Sequence, residues 1–467
     1  MSDTYKPDWQ SSGLITCLLL VAFTAASILF MQSWETVNSD VAFLTWTAGQ
    51  VMGPPVFGVD VYEVNPPLAF MIYAPAAFFA PWLGYDLAVK LWVTAMACAS
   101  VAMFWQTCDA KLRLPLTITL ALFVAFVLPG TFGQREQIAF MLTAPYVAGP
   151  CRNRGGAIIS GVMAGVGFAI KPHFLIALVL VFATRRKIST EEVAIAATGA
   201  AYAVSLVLFF QPYLFEFMPL ARATYWAAHM ETSSTWKIGG FILLSAVPFS
   251  LAGAPQPSAR GFIAATFGFT IAALIQYKGF SYHFLAAWGF LALFLMARTF
   301  NARRLVAVCA VINLLILVYI IGRFTLDFTR PTESQKTMAR LLPEIDRSPS
   351  FLSFAIGPFP AFPTALYTAS DYKGLAIWPI FISAAREPLA GPELQEKARQ
   401  LTFGQARREL ERKPDLVIVE RNDTASGWSR AEFDLLAFLE TDAGFRALWN
   451  DYSYDKTIGK YELYRRR

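Results

Sequence analysis

Asp40 stands in "NSDVAFL" and Glu63 and Asn65 stand in "YEVNPPL", each just ahead of an apolar run. Farther along come Arg135 and Glu136 in "GTFGQREQIAF", Lys171 and His173 in "AIKPHF", Tyr225 and His229 in "YWAAHM", and Lys278, Tyr282 and His283 in "YKGFSYHF". Carboxylates, ammonium and guanidinium groups and imidazoles are the side chains of proton transfer and anion binding. An ionisable group at membrane depth costs ~2.5–3.5 kcal/mol on insertion scales, so several of them on one face imply a polar cavity. His173, His229 and His283 lack the close helical spacing of a strong metal motif and do not read as a zinc site.

These residues must be positioned by membrane helices. Of 467 residues, 56% are hydrophobic and only 15% charged, with a mean hydropathy of +0.45, which is the balance of a polytopic membrane protein. Apolar runs recur from Gly13 to Ile321 and predict eleven to thirteen membrane helices. Several are shorter than the ~20 residues of a perpendicular span and imply tilted or half-inserted segments. Orientation follows from Lys and Arg. Lys111, Arg113, Arg152, Arg154, Arg185, Arg186, Lys187, Arg260, Arg298, Arg303 and Arg304 fall in one set of connections and read as cytoplasmic. The alternate set holds only Arg135, Lys171, Arg222, Lys237 and Lys278, and the long first loop from Gln32 to Pro67 has no Lys or Arg. That loop and all three histidines therefore face outward.

With both ends so oriented, the stretch from Leu68 to Trp105 makes an odd number of crossings although it holds two apolar runs. One of the two is expected to be interfacial or re-entrant. Pro66 and Pro67 suit this, because proline opens a helix without wasting a backbone donor.

The composition changes after Ile321. Residues 323–467, about 145 of the 467, alternate in charge and contain a strand-like "DLVIVE", a helix-like "RAEFDLLAFLETDAGFRALW" and a strand-like "KTIGKYELYRR". They predict a small α/β domain that the alternation places outside the membrane, behind a membrane module of residues 1–322. Cys17, Cys98, Cys108, Cys151 and Cys309 lie in apolar segments or on the cytoplasmic side, so no disulfide framework is indicated. The first apolar run is long for a signal peptide and reads as a retained anchor. The net charge of +6 is the orientation signal and does not point to nucleic acid. Internal repeats, which a secondary transporter would favour, are not visible.

An acid shortly after the first membrane helix, then "GVDVYEVNPPL" ahead of a second apolar run, resembles the first outer loop of the GT-C glycosyltransferases, especially the aminoarabinose transferase and protein O-mannosyltransferase branch. The segment "GVMAGVGFAIKPHFLIALVL" is similar to a small-residue helix, lysine and second helix of the same branch. The resemblance implies transfer of a sugar, with inversion, from a polyprenyl-phosphate donor to an envelope glycan, lipid or protein acceptor at the outer face of the membrane. It also implies a bacterial inner membrane and a periplasmic C-terminal domain. Asp40 matches the family's catalytic acid by position, and Glu136 stands where the family places a second outward acid. The branch usually has lysine immediately before the two prolines, where this chain has Asn65. Phosphate binding is therefore expected from Arg135, Lys171, His173, Lys278, Tyr282 and His283, with Glu63 and Asn65 beside the substrate. The sequence does not decide whether a divalent cation, Mg or Mn, helps the phosphate leave; Asp40 and Glu136 are the hard oxygen ligands that would hold one.

Each residue also has a structural alternative. Asp40 suits a helix N-cap, and Glu63 and Asn65 suit a cap for the helix opened by Pro66. Arg135 and Glu136 suit an internal ion pair. Lys171 suits snorkelling, and Lys278, Tyr282 and His283 suit an interfacial belt. The aromatic segment Gly357 to Phe381 reads either as a floor for a sugar face or as a packing loop. "NDT" at Asn422 is a glycosylation acceptor pattern. A lipid-linked glycan polymerase or ligase, or a non-enzymatic envelope assembly protein, are the competing function classes.

Overall fold

The computed structural model describes residues 9–126, 129–224, 233–251, 257–301, 304–325, 332–377, 379, 381–386, 391–421 and 433–467. Tyr225, His229 and Asn422 lie outside the described residues. The chain is mostly helical, with a small C-terminal sheet. Among the described residues, five helices are long and apolar enough to cross a membrane: Gly13–Gln32, Tyr85–Thr107, Thr190–Phe209, Ala259–Gln276 and Ser281–Phe300. Shorter apolar helices cover Leu68–Leu83, Arg113–Phe126, Arg154–Ala169, Pro172–Arg185 and Ala307–Ile316. The protein is an integral membrane protein. Of the two runs between Leu68 and Trp105, the second is one long helix. The first is broken into Leu68–Met71 and Ala74–Leu83, with Gly84 at φ +76° closing it.

The described residues form two compact units. The first comprises Met1–Glu35, Lys90–Ala201 and Ser234–Phe328. Its helices approach closely at small residues, the usual means of association where lipid supplies no hydrophobic contrast. A Cβ on Gly268 would lie 2.3 Å from Ala177 Cα, and one on Gly289 would lie 2.5 Å from the Phe140 ring. Those two contacts fasten the helix Pro257–Gln276 to Leu175–Arg185, and Leu285–Asn301 to Arg135–Ala148.

The second unit comprises Thr36–Val89, Tyr202–Ser233 and Thr329–Arg467. Its sheet has the order β2-β1-β3-β5-β4, with β1 Ser350–Phe354, β2 Asp371–Tyr372, β3 Leu416–Glu420, β4 Tyr452–Ile458 and β5 Tyr461–Arg466. β1 runs parallel to β2 and β3, while β5 runs antiparallel to β3 and β4. β1 and β3 are buried throughout, as central strands covered on both faces must be. The strand-like "DLVIVE" forms β3. "KTIGKYELYRR" forms a hairpin instead of one strand, because Gly459 at φ +62° turns the chain between β4 and β5. "RAEFDLLAFLETDAGFRALW" holds two short helices, since Asp434 caps Leu435–Leu439 and Asp442 caps Ala443–Trp449.

Within this unit the first loop is fastened to the C-terminal residues. Phe362 packs on Phe43 and Trp46 of the helix Ser39–Val51, with ring centroids 5.3 and 5.7 Å apart. This part of the aromatic segment is a packing loop. The Tyr62 N–H donates to the Leu375 carbonyl at 2.7 Å, and Arg412 pairs with Asp60 at 3.1 Å. Glu409, on the helix Pro392–Glu411, accepts the Leu375 N–H and the Gln405 amide, both at 2.9 Å. Burial pushes the Glu409 carboxyl up to about 7 against the pull of those bonds and of Arg412 and Arg408.

A proton held on Glu409 in the fold but released by the unfolded chain makes stability fall as pH rises from about 4.5 to about 7. Glu409→Gln keeps the acceptor for Leu375 and removes the titration. Thermal melts of the purified chain at pH 5 and pH 7.5 should show a smaller loss on raising the pH in the variant. An equal loss in both proteins would mean that Glu409 does not set this dependence.

Candidate functional site

One end of the first unit gathers most of the sequence-selected residues. The helix Arg135–Ala148 starts there, buried along its whole length, with Gln134 as N-cap. Gln137 accepts the Gly133 N–H at 2.7 Å and donates to the Val124 carbonyl at 3.2 Å, which fixes the approach to the helix. Arg135 and Glu136 thus enter the interior within its first turn. Lys171 precedes Pro172 and takes the extended backbone that proline imposes on its predecessor, φ −135° and ψ 134°. It ends the small-residue helix Arg154–Ala169 before the short turn Pro172–Phe174. Lys278 lies between two residues in the left-handed region, Tyr277 at φ +51° and Gly279 at φ +72°, and His283 lies in the turn Ser281–Phe284.

Glu136 is fully buried and its Oε1 accepts the Lys171 ammonium at 2.5 Å. Lys171 Nζ also donates to Gln276 Oε1 at 3.0 Å. His283 Nε2 lies 3.9 Å from the same Glu136 oxygen. Arg135, His173 and Lys278 are within electrostatic reach of His283, and the Tyr282 ring packs edge-to-face on it at 4.6 Å. Among the described residues, Glu136 Oε2 and His173 Nε2 are buried without a hydrogen-bond partner. A buried polar atom left this way carries a cost of ~1–3 kcal/mol, and a polar ligand would relieve it. Among the described residues, Arg135, Lys171 and Lys278 stand around the carboxylate of Glu136, and three cationic side chains gathered at one place suit an anion. Burial pushes the Lys278 ammonium down to about 8.

The other end of the same helices makes a useful contrast. Arg185 pairs with Glu191 and with Glu192 at 2.9 Å each, Tyr146 donates to Glu192 at 3.0 Å, and Glu191 accepts the Cys151 N–H at 2.9 Å. That network is closed by its own members. At the Glu136 end, Glu136 Oε2 and His173 Nε2 have no partner among the described residues.

Gln276 was not selected from the sequence. Its only signal there is a polar residue ending an apolar run, which many helices share. Asp40, Glu63 and Asn65 belong to the second unit. The N-cap of Ser39–Val51 is Asn38, whose Oδ1 accepts the Asp40 N–H at 3.0 Å. Asp40 is half-buried in the first helical turn and is not the cap. Glu63 is buried, and its Oε1 accepts both the Asn65 N–H at 2.6 Å and the Asn65 side-chain amide at 2.7 Å. This local turn sets the backbone just ahead of Pro66 and Pro67. A divalent cation on Glu136 would compete with Lys171 for the same carboxylate, and the described residues contain no group of three or more His, Cys, Asp and Glu arranged to hold a metal.

No protein-family model matches the chain, and a search of the curated proteins finds no match. Among solved structures it is similar to the crystal structure of ArnT from Cupriavidus metallidurans bound to undecaprenyl phosphate. The likeness covers 98% of this chain and 97% of that one, at 12% identity and a TM-score of 0.48.

Removing one partner of a buried ion pair leaves an uncompensated charge and costs ~3–5 kcal/mol, whereas removing both can be nearly neutral. Lys171→Met should therefore lower the melting temperature more than the double variant Lys171→Met/Glu136→Gln does. A single variant as stable as the wild type would refute the buried pair.

Proposed function

We propose that the chain is a membrane glycosyltransferase that moves a sugar, with inversion, from a polyprenyl-phosphate donor to an envelope glycan, lipid or protein acceptor. The observation that supports this best is the gathering of buried Arg135, Lys171 and Lys278 around Glu136, at one end of a bundle of apolar helices. A lipid-linked phosphate carries its charge at the end of a long apolar chain, and cations set into an apolar body match that distribution of charge. Lys171, Arg135 and Lys278 meet the phosphate as its charge grows on bond breaking. Glu136 holds Lys171 through Oε1 and offers Oε2 to a sugar hydroxyl. His173 and His283 supply further ring nitrogens to the same space, and Tyr282 supports His283.

Asp40 is assigned, on the resemblance of its sequence context, to take the proton of the attacking hydroxyl. Glu63 and Asn65 shape the loop that carries the acceptor. In the transfer, the acceptor oxygen bonds to the anomeric carbon opposite the phosphate, and the bond to the phosphate oxygen breaks. The electron pair leaves on the phosphate, and the acceptor proton goes to Asp40. Residues 1–322 are the membrane module, and residues 323–467 form an extracytoplasmic domain, periplasmic in a bacterial inner membrane.

Envelope glycans from a deletion strain, compared by mass and linkage analysis, should lack one sugar that the wild-type chain restores. Loss of a general base typically costs ~10²–10⁴ in rate, so Asp40→Asn at equal abundance should not restore it. Full restoration by Asp40→Asn would remove the assigned role. Donor binding should also weaken as pH rises through about 8, where Lys278 loses its charge.

A further inference from the structure

The second unit carries a cleft that the transfer reading does not use. It encloses about 380 Å³ and is lined by Glu333, Ser334, Thr337, Phe359, Glu420 and Tyr461 among others. That volume is within the ~300–1,000 Å³ of small-ligand sites. Its position follows from the strand order. From β1 the chain passes to β2 on one side and then returns to β3 on the other, so the order reverses between β1 and β3, at their carboxyl ends. Ligands of open α/β sheets bind in the crevice at such a reversal. Gly357 and Phe359 follow β1, Glu420 ends β3, and Lys460 and Tyr461 lead into β5 opposite it.

The lining selects a chemistry. Phe359 is half-buried, with its ring 5.7 Å from the buried Tyr461 in an edge-to-face contact, so an apolar ring is held at the wall. Glu420 is 5% exposed; its Oε2 accepts the Ile356 N–H at 3.0 Å and its Oε1 pairs with the half-exposed Lys460. Ser334 and Thr337 add hydroxyls. Glu333 is paired with Lys336 at 2.7 Å and Glu420 with Lys460, so both acids of the lining are neutralised by a lysine. An aromatic wall, hydroxyls and a lining whose charges cancel suit a neutral saccharide.

We infer that this cleft is a saccharide-binding site of the C-terminal domain, with preference for a neutral sugar over a charged one. The inference rests on the cleft alone. Binding needs no donor and no turnover, so it stands or falls separately from the transfer reading.

The test uses the full chain in nanodiscs, free of sugar-based detergent, with glucosamine, methyl glucoside and glucose 6-phosphate as probes in saturation-transfer NMR. A Cβ on Gly357 would meet nothing within 4 Å, so Gly357→Leu fills the cleft without straining the backbone. Phe359→Ala removes the wall. The wild type should give its strongest signal with methyl glucoside, and both variants should weaken that signal at least tenfold at unchanged melting temperature. Absence of any sugar signal, a signal as strong for glucosamine or glucose 6-phosphate, or a methyl glucoside signal untouched in Gly357→Leu would each overturn the site. If either variant melts earlier, the other decides.

Discussion

The ion pair between Glu136 and Lys171 is the constraint on which the candidate site depends. Two opposite charges 2.5 Å apart, both buried, are tolerable in an apolar bundle only together, since either alone leaves a charge in a low-dielectric medium. Their meeting requires the helix Arg135–Ala148 to begin where the helix Arg154–Ala169 ends. Gln276 joins them by ending Pro257–Gln276 at the same level. The glycines that let these helices approach are thus part of the same arrangement as the charges. The pair also leaves one oxygen of Glu136 unsatisfied among the described residues, so the cluster is stable enough to exist yet open to a polar ligand.

The charged members of the cluster were legible in the sequence because ionisable residues beside apolar runs stand out against their surroundings. Arg135, Glu136, Lys171, His173, Lys278 and His283 were all found that way, and the structure brings them together. Gln276 was not, because an uncharged amide at a helix end carries no comparable cost. The sequence left open whether Asp40 caps its helix or serves as a catalytic acid, since Asp is a favoured cap. Only the backbone geometry assigns the cap to Asn38.

The fold was legible where one local rule acts alone. The apolar runs and "DLVIVE" are of that kind. It was not legible where two rules compete within one run. Asp434 and Asp442 split a helix-like stretch, and Gly459 splits a strand-like one, although the surrounding periodicity is continuous. The association of residues 36–89 with 329–467 in one unit leaves no trace in composition. It is built from single long-range contacts, such as Phe362 on Phe43 and Tyr62 on Leu375.

The central claim is that the cluster around Glu136 recognises a lipid-linked phosphate. Native mass spectrometry of the purified chain with undecaprenyl phosphate and with the uncharged undecaprenol tests it directly. The wild type should retain the phosphate at least tenfold more strongly than the alcohol, and Lys171→Met/Glu136→Gln and Lys278→Met should each narrow that ratio. Equal retention of the two lipids by the wild type, or a phosphate preference that survives both variants, would contradict the account.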